Sequence, residues 1–369
     1  MFDLARVRSE APSVLSQAFL NAGTFGPVPT VSADAMRARI EEAHLRGRNG
    51  SQGFRRWMDL MAEARREFAL TLGVPEGEVA LMHATSEGIN TVLSGLRWKA
   101  GDRIVLTTSE HPGLTAPLDE LRVRQGVEVV TVEPTTAAIE AALRTPTKLL
   151  AVSHVLWNSG AVLPMRELSD LAHGAGAKVL VDGAQSVGAI AICPPDTGAD
   201  FYTVSGQKWL CGPSGTGALW VRATELPSLG TPWASYMSMN RFAGPAPQEW
   251  PDARRLDAQT MSLTSLAGLC AALRWQRAHA SEGGYTHSLT LSHKAKEALR
   301  GLGATLAAPD ASSPIVSFAM PDADPAALVR ALEAQSVIVR GIPGSPWVRA
   351  CFGMWNDDSD VAKLCRALS

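Results

Sequence analysis

The chain has 369 residues, 46% of them hydrophobic and 19% charged, with a formal net charge of -2. That balance excludes the basic footprint of a nucleic-acid or anionic-membrane partner, and no apolar run approaches the ~20 residues of a membrane span. The length predicts two domains, and the N-terminus MFDLARVRSEAP lacks the layout of a secretion signal, so the cytoplasm is the expected compartment.

Helical periodicity covers Ala33 to Leu45 and Phe54 to Leu72. Strand-like runs follow at DRIVLTT, VEVVTV, KLLAVSHV, AKVLVD, DFYTVS and GALWV, with helical stretches between most of them. This rhythm predicts an α/β fold, a largely parallel sheet covered on both faces. From Leu226 to Asp252 the sequence is rich in Gly, Pro and Trp and reads as a long loop or domain connection. Two helices (SLTSLAGLCAALRWQRAHA and THSLTLSHKAKEALRGL) come next, then strands at PIVSFAM, SVIVRGI and WVRACFGM, with DPAALVRALEAQ and a terminal helix interleaved. A smaller α+β domain fits this part.

Asp182 ends the run AKVLVD and Lys208 follows DFYTVS, each fenced by small residues. Both charges sit just past strand ends, where open α/β sheets gather ligands. Taken singly, each reads as a helix cap or a solvated loop charge. Together they supply what pyridoxal phosphate requires: a lysine to hold it and a carboxylate to keep its ring nitrogen protonated. Gln185 is spaced to reach the same ring, and Ser205 and Gln207 flank the lysine. Thr85 and Ser86 open the helical stretch EGINTVLSGL; they fit an anion site or an ordinary capping box with Glu87. His111 follows the DRIVLTT strand, so it too is presented at the ligand edge.

The five cysteines are scattered and odd in number, without CxxC spacing, and read as reduced thiols. The eight histidines form no HExxH or His-Cys cluster, so no metal is expected. No GxGxxG follows an early strand, which disfavours a nucleotide-binding or purely interacting α/β protein.

The series FLNAGTFGPVP, ATSEGIN, SEHPG, SHVLWNSGAVLP, VDGAQSVG, SGQKWLCGPSGTGALWV, RRLDAQT and VRACFGMWNDDSDVAKL resembles the class-V aminotransferase family of pyridoxal-phosphate enzymes over nearly the whole chain. The resemblance implies fold type I: a large domain (21–255) with a mainly parallel seven-stranded sheet sandwiched by helices, a smaller α+β C-terminal domain (256–369), and an N-terminal segment (1–20) packing on the small domain. It also implies a Schiff base at Lys208, Asp182 on the pyridine nitrogen, Gln185 on the ring oxygen and His111 stacked over the ring. Thr85, Ser86 and Ser205 then hold the phosphate. Gln207 stands where the family often has a phosphate-contacting His, and an amide cannot carry charge. Thr260 matches a threonine that reaches the other subunit's cofactor, which implies a homodimer with shared sites. Arg349 matches the arginine that clamps the substrate carboxylate. Trp157 and Asn158 are expected to flank the cofactor, although the indole reads equally as a core wedge; Trp233 and Tyr236 are expected to line the entrance, and Asn21 to approach the substrate.

Within this family, cysteine desulfurases carry a nucleophilic cysteine on a mobile loop. The matching interval here, Val339 to Ala350, is short and has none, while Cys351 reads as packing. The details resemble the cystine carbon-sulfur lyases most. That likeness implies β-elimination from a cysteine-type amino acid, giving pyruvate, ammonia and a persulfide or thiol. The alternative is an epimerase or aminotransferase of the isopenicillin N epimerase-like group.

Overall fold

A computed structural model describes residues 2–48, 50–240, 246, 248–258 and 260–369. The chain opens with helix α1 (Leu4–Glu10), a short strand β1 (Ala18–Phe19) and two long helices, α2 (Thr30–Arg46) and α3 (Gly50–Leu72). Strands and helices then alternate: β2 (Val79–Met82), α4 (Thr85–Gly95), β3 (Arg103–Thr107), α5 (Pro112–Gln125), β4 (Glu128–Val132), α6 (Thr136–Leu143), β5 (Leu149–Ser153), α7 (Met165–Gly174) and β6 (Lys178–Asp182). Next come β7 (Phe201–Ser205) and β8 (Gly217–Val221), with no helix of the α type between them.

These seven strands form one sheet in the order β2-β8-β7-β6-β5-β3-β4. Strands β3 to β7 run parallel, whereas β8 is antiparallel to both β7 and β2. β2 therefore points the same way as the parallel set. Every residue of β5, β7 and β8 is buried, while the edge strand β4 is half-exposed, which explains why the central runs are continuously apolar. Alternate residues feed two cores: Leu150, Val152, Val179 and Val181 face the α3 side, and Leu149, Ala151 and Leu180 face the α4 side.

Beyond the sheet, the loop from Leu226 contains a short hairpin, β9 (Met239–Asn240) with β10 (Gln248–Glu249). Residues 241–245 and 247, within the predicted connection, and Gln259 lie outside the described residues. Helix α8 (Leu263–His279) lies in the segment expected to belong to the small domain, yet its Leu266, Leu269, Cys270 and Leu273 join the core under the large sheet. A turn with Gly283 at φ 125° leads into α9 (Tyr285–Gly301). The remaining elements are β11 (Thr305–Leu306), β12 (Ile315–Ala319), α10 (Pro325–Ala334), β13 (Val337–Ile338), β14 (Arg340–Gly341), β15 (Val348–Cys351) and α11 (Asp358–Leu368).

Strands β11, β12, β15 and β14 make a four-stranded sheet, backed by α9 and α11 around Phe318, Phe352 and Leu364. The run SVIVRGI, predicted as one strand, splits: β13 pairs with β1, and β14 pairs with β15. No helix among the described residues is long and apolar enough to cross a membrane.

Candidate active site at the carboxyl edge of the large sheet

The parallel strands discharge their C-terminal ends at one edge, and the chain order reverses between β5 and β3 there. A cavity of about 270 Å³ lies at this edge. It gathers Thr85 and Ser86 after β2, His111 after β3, Trp157 after β5, Asp182 and Gln185 at β6, and Ser205, Gln207 and Lys208 at β7. Arg349 enters from β15, more than 140 residues further along the chain.

Lys208 is half-buried at the cavity wall, and desolvation pushes its ammonium down to about 8 against the opposing attraction of Asp182. Asp182 accepts a hydrogen bond from the Ala184 N–H at 2.9 Å. His111 caps α5: its Nδ1 accepts from the Gly113 N–H at 2.9 Å, which leaves Nε2 to carry the ring proton. Burial first, and then the neighbouring Lys208, lower the pKa of His111 and so favour the neutral imidazole. The indole of Trp157 stands edge-on to it, ring centroids 5.0 Å apart.

The two readings of the Thr85 stretch now separate. Ala84 is the N-cap of α4, and no side chain caps the helix. Thr85 Oγ1 is buried without a partner among the described residues, and Glu87 turns back to His83 instead. The helix thus begins with free N–H groups and an unpaired hydroxyl, the arrangement of an anion site. Nearby, Ser205 donates its proton to Gln207 Oε1 at 2.7 Å, which leaves the Gln207 Nε2 hydrogens available. Gln185 has less freedom: Nε2 donates to the Gly23 oxygen and Oε1 accepts from Trp209 Nε1, so one N–H remains for a ligand.

Arg349 is 1% exposed and donates to the Trp157 oxygen at 2.9 Å and to Thr24 Oγ1 at 3.2 Å. Its Nε has no partner among the described residues, nor has Trp157 Nε1. Asn21 does not line the cavity; it acts one step behind, its Oδ1 accepting from Thr24 Oγ1. Asn158, Trp233 and Tyr236 are not among the lining residues either. Thr260 sits in a separate cavity with Trp57 and Phe54, where it bonds the Tyr236 hydroxyl at 2.6 Å.

Several lining residues escape a reading of the sequence. Gly23, Thr24 and Phe25 come from the loop between β1 and α2, and Arg340 lies directly opposite Arg349 in the β14–β15 pairing. The paired arginines were detectable in VRGIPGSPWVRA once the two strands were placed side by side.

The family model for class-V aminotransferases matches residues 19–367. A probable cysteine desulfurase of Methanothermobacter thermautotrophicus is 33% identical over 221 residues, 58% of this chain and 55% of the relative, so this chain spans little more than half that relative's length. Isopenicillin N epimerase of Streptomyces clavuligerus is 27% identical across 95% of this chain and 93% of its own. Among solved structures, the cystine C-S lyase C-DES with its reaction product cysteine persulfide superposes with a TM-score of 0.89 at 28% identity, covering 97% and 98% of the two chains. The residues, the sheet and these likenesses agree, and the chain belongs to the class-V aminotransferase family of pyridoxal-phosphate-dependent enzymes of fold type I.

Proposed function

We propose that the chain is a carbon–sulfur lyase that removes a sulfur group from Cβ of cystine, cysteine or a cysteine conjugate. The observation that carries this reading is the convergence of Lys208, Asp182 and Arg349 on one cavity, with Arg340 beside Arg349 and no cysteine among the lining residues.

The residues fit the cofactor. The unpaired Thr85 hydroxyl at the start of α4 and the free amide of Gln207 are donors for a phosphate. Asp182 is placed for a ring nitrogen, Lys208 for the aldehyde and the neutral His111 for the ring face. Bound there, pyridoxal phosphate supplies an electron sink for negative charge developing at Cα.

The chain's own groups do the rest. Arg349, held by Trp157 and Thr24, clamps the α-carboxylate and orients the amino acid. Lys208, with its pKa drawn down to about 8, is in part a free amine near neutral pH and takes the proton from Cα. Arg340 offers a second cation on the same wall, which suits a substrate with a second carboxylate. Cystine has one and cysteine does not. With no thiol among the lining residues to accept sulfur, the Cβ–S bond breaks with its electron pair passing to sulfur, which leaves as a persulfide from cystine, as sulfide from cysteine or as a thiol from a conjugate, and water hydrolyses the three-carbon remainder to pyruvate and ammonia.

The same Cα proton returned to the opposite face gives epimerisation, and the full-length likeness to an isopenicillin N epimerase favours that as the second reading. Incubation of the pyridoxal-phosphate-loaded enzyme with cystine distinguishes them. Pyruvate release supports the lyase; inversion or amino-group transfer without pyruvate overturns it. The position of Thr260 outside its own chain's cavity fits a contact with a second copy's cofactor, and light scattering that reports a monomer would remove the homodimer from this reading.

A further inference from the structure

Glu110 is a buried carboxyl that the mechanism above does not use. Its Oε1 accepts from Thr107 Oγ1 at 2.7 Å, and its Oε2 accepts from the Ser153 N–H at 2.9 Å and from Ser153 Oγ at 2.5 Å. The carboxyl thus ties the end of β3 to the end of β5, at the point where the strand order reverses. Ser153 is the Cα partner of Asp182 in the β5–β6 ladder, and the residue after Glu110 is His111. One side chain therefore braces both groups placed against the cofactor ring.

We propose that Glu110 is a positioning residue for Asp182 and His111, and that the proton it holds or releases sets the negative charge beside the ring nitrogen's partner. This rests on the pyridoxal-phosphate reading given above. Burial first, and then the like charge of Asp182, push the Glu110 carboxyl up to about 7 against the pull of its hydroxyl donors. Both hydroxyls can reverse from donor to acceptor, so the neutral acid keeps its contacts. Of the charges around it, Asp182 on β6 acts on Glu110 directly. Lys208, Asp182, Arg349 and Arg340 act on His111. His154, beside Ser153, is engaged with Tyr202.

The test is the visible absorbance of the pyridoxal-phosphate-loaded enzyme, titrated with pH. Glu110→Gln keeps the neutral acid's hydrogen bonds but never ionises. Above pH 7 it lacks a negative charge that the native enzyme has, so the midpoint of the pH-dependent absorbance change moves down, by about half a unit to one unit for a charge at this range in a half-screened site. Glu110→Asp restores the charge and returns the midpoint toward the native value. An unchanged midpoint in Glu110→Gln, or no return in Glu110→Asp, overturns the proposal as a merely structural role would. A native enzyme without visible absorbance overturns instead the cofactor reading beneath it. Thermal unfolding of the same samples gives a second reading. Because folding raises this acid's pKa from 4.5 to about 7, its ionisation costs native stability as pH rises through that window. The melting temperature of Glu110→Gln relative to the native enzyme therefore rises from pH 4.5 to 7, and a difference that is constant with pH counts against the proposal.

Discussion

A Cβ built on Gly23 would stand 2.8 Å from Cζ of Arg349 and 2.9 Å from its Nη2. The same guanidinium is hydrogen-bonded to the Trp157 oxygen and Thr24 Oγ1, so relieving the contact would pull it off these partners. Glycine is required here by close approach alone.

Gly23→Ala should therefore displace the carboxylate clamp without unfolding the chain. A shift of this kind lowers kcat/KM by up to about 10²-fold. Steady-state kinetics with cystine and a circular dichroism spectrum check it, and a native kcat/KM would show that Arg349 does not position the substrate.

Lys208 is held near pKa 8 by burial, in place of an ordinary 10.5. The rate at which cofactor-free enzyme captures pyridoxal phosphate should rise with pH up to about 8 and then level. An unshifted lysine would go on gaining beyond pH 10. Stopped-flow absorbance across pH 6–10 reads the difference, and Lys208→Ala should give no covalent capture and no mass gain after borohydride treatment.

Gln207 donates through an uncharged amide. In Gln207→His an imidazolium replaces it at low pH, and charge-assisted bonds to phosphate are about twice as strong as neutral ones. Cofactor loss on dialysis should be slower at pH 6 than at pH 8 in the variant, whereas the native chain should show little such contrast from this position. Equal pH dependence in both would place the phosphate elsewhere.

Arg340 and Arg349 are neighbours across β14 and β15, both on the cavity wall. Arg340→Ala should raise KM for cystine roughly tenfold, as loss of a charged hydrogen bond worth about 1.5 kcal/mol. KM for cysteine should change little. Parallel kinetics on both substrates decide it; equal effects would mean that Arg340 does not read the distal carboxylate.

Tyr202 is fully buried, and its hydroxyl meets His154 Nδ1 at 2.8 Å and Ser186 Oγ at 2.6 Å. Tyr202→Phe leaves His154 Nδ1 without its partner beneath the turn that carries Gln185, at a cost of about 1–3 kcal/mol. A urea midpoint unchanged from the native value would contradict the network.

The sequence by itself determined the local frame of the site. Short β-branched runs closed by Gly-rich turns make AKVLVD and DFYTVS strands, and strand polarity carries Asp182 and Lys208 to one edge. Period and turn chemistry are local properties, which is why this pair, His111 and the Thr85 helix start were readable in one dimension. Tertiary structure decided the rest. β2 is a four-residue strand between helices, too short for its alternation to register, and the reversed direction of β8 leaves no mark in GALWV. The meeting of Gly23 and Thr24 with Arg349 and the service of Glu110 to Asp182 join residues far apart in sequence, and the exclusion of Thr260 from its own chain's cavity was likewise settled by packing. Such contacts follow from which apolar faces bury against one another, and no local pattern encodes that choice.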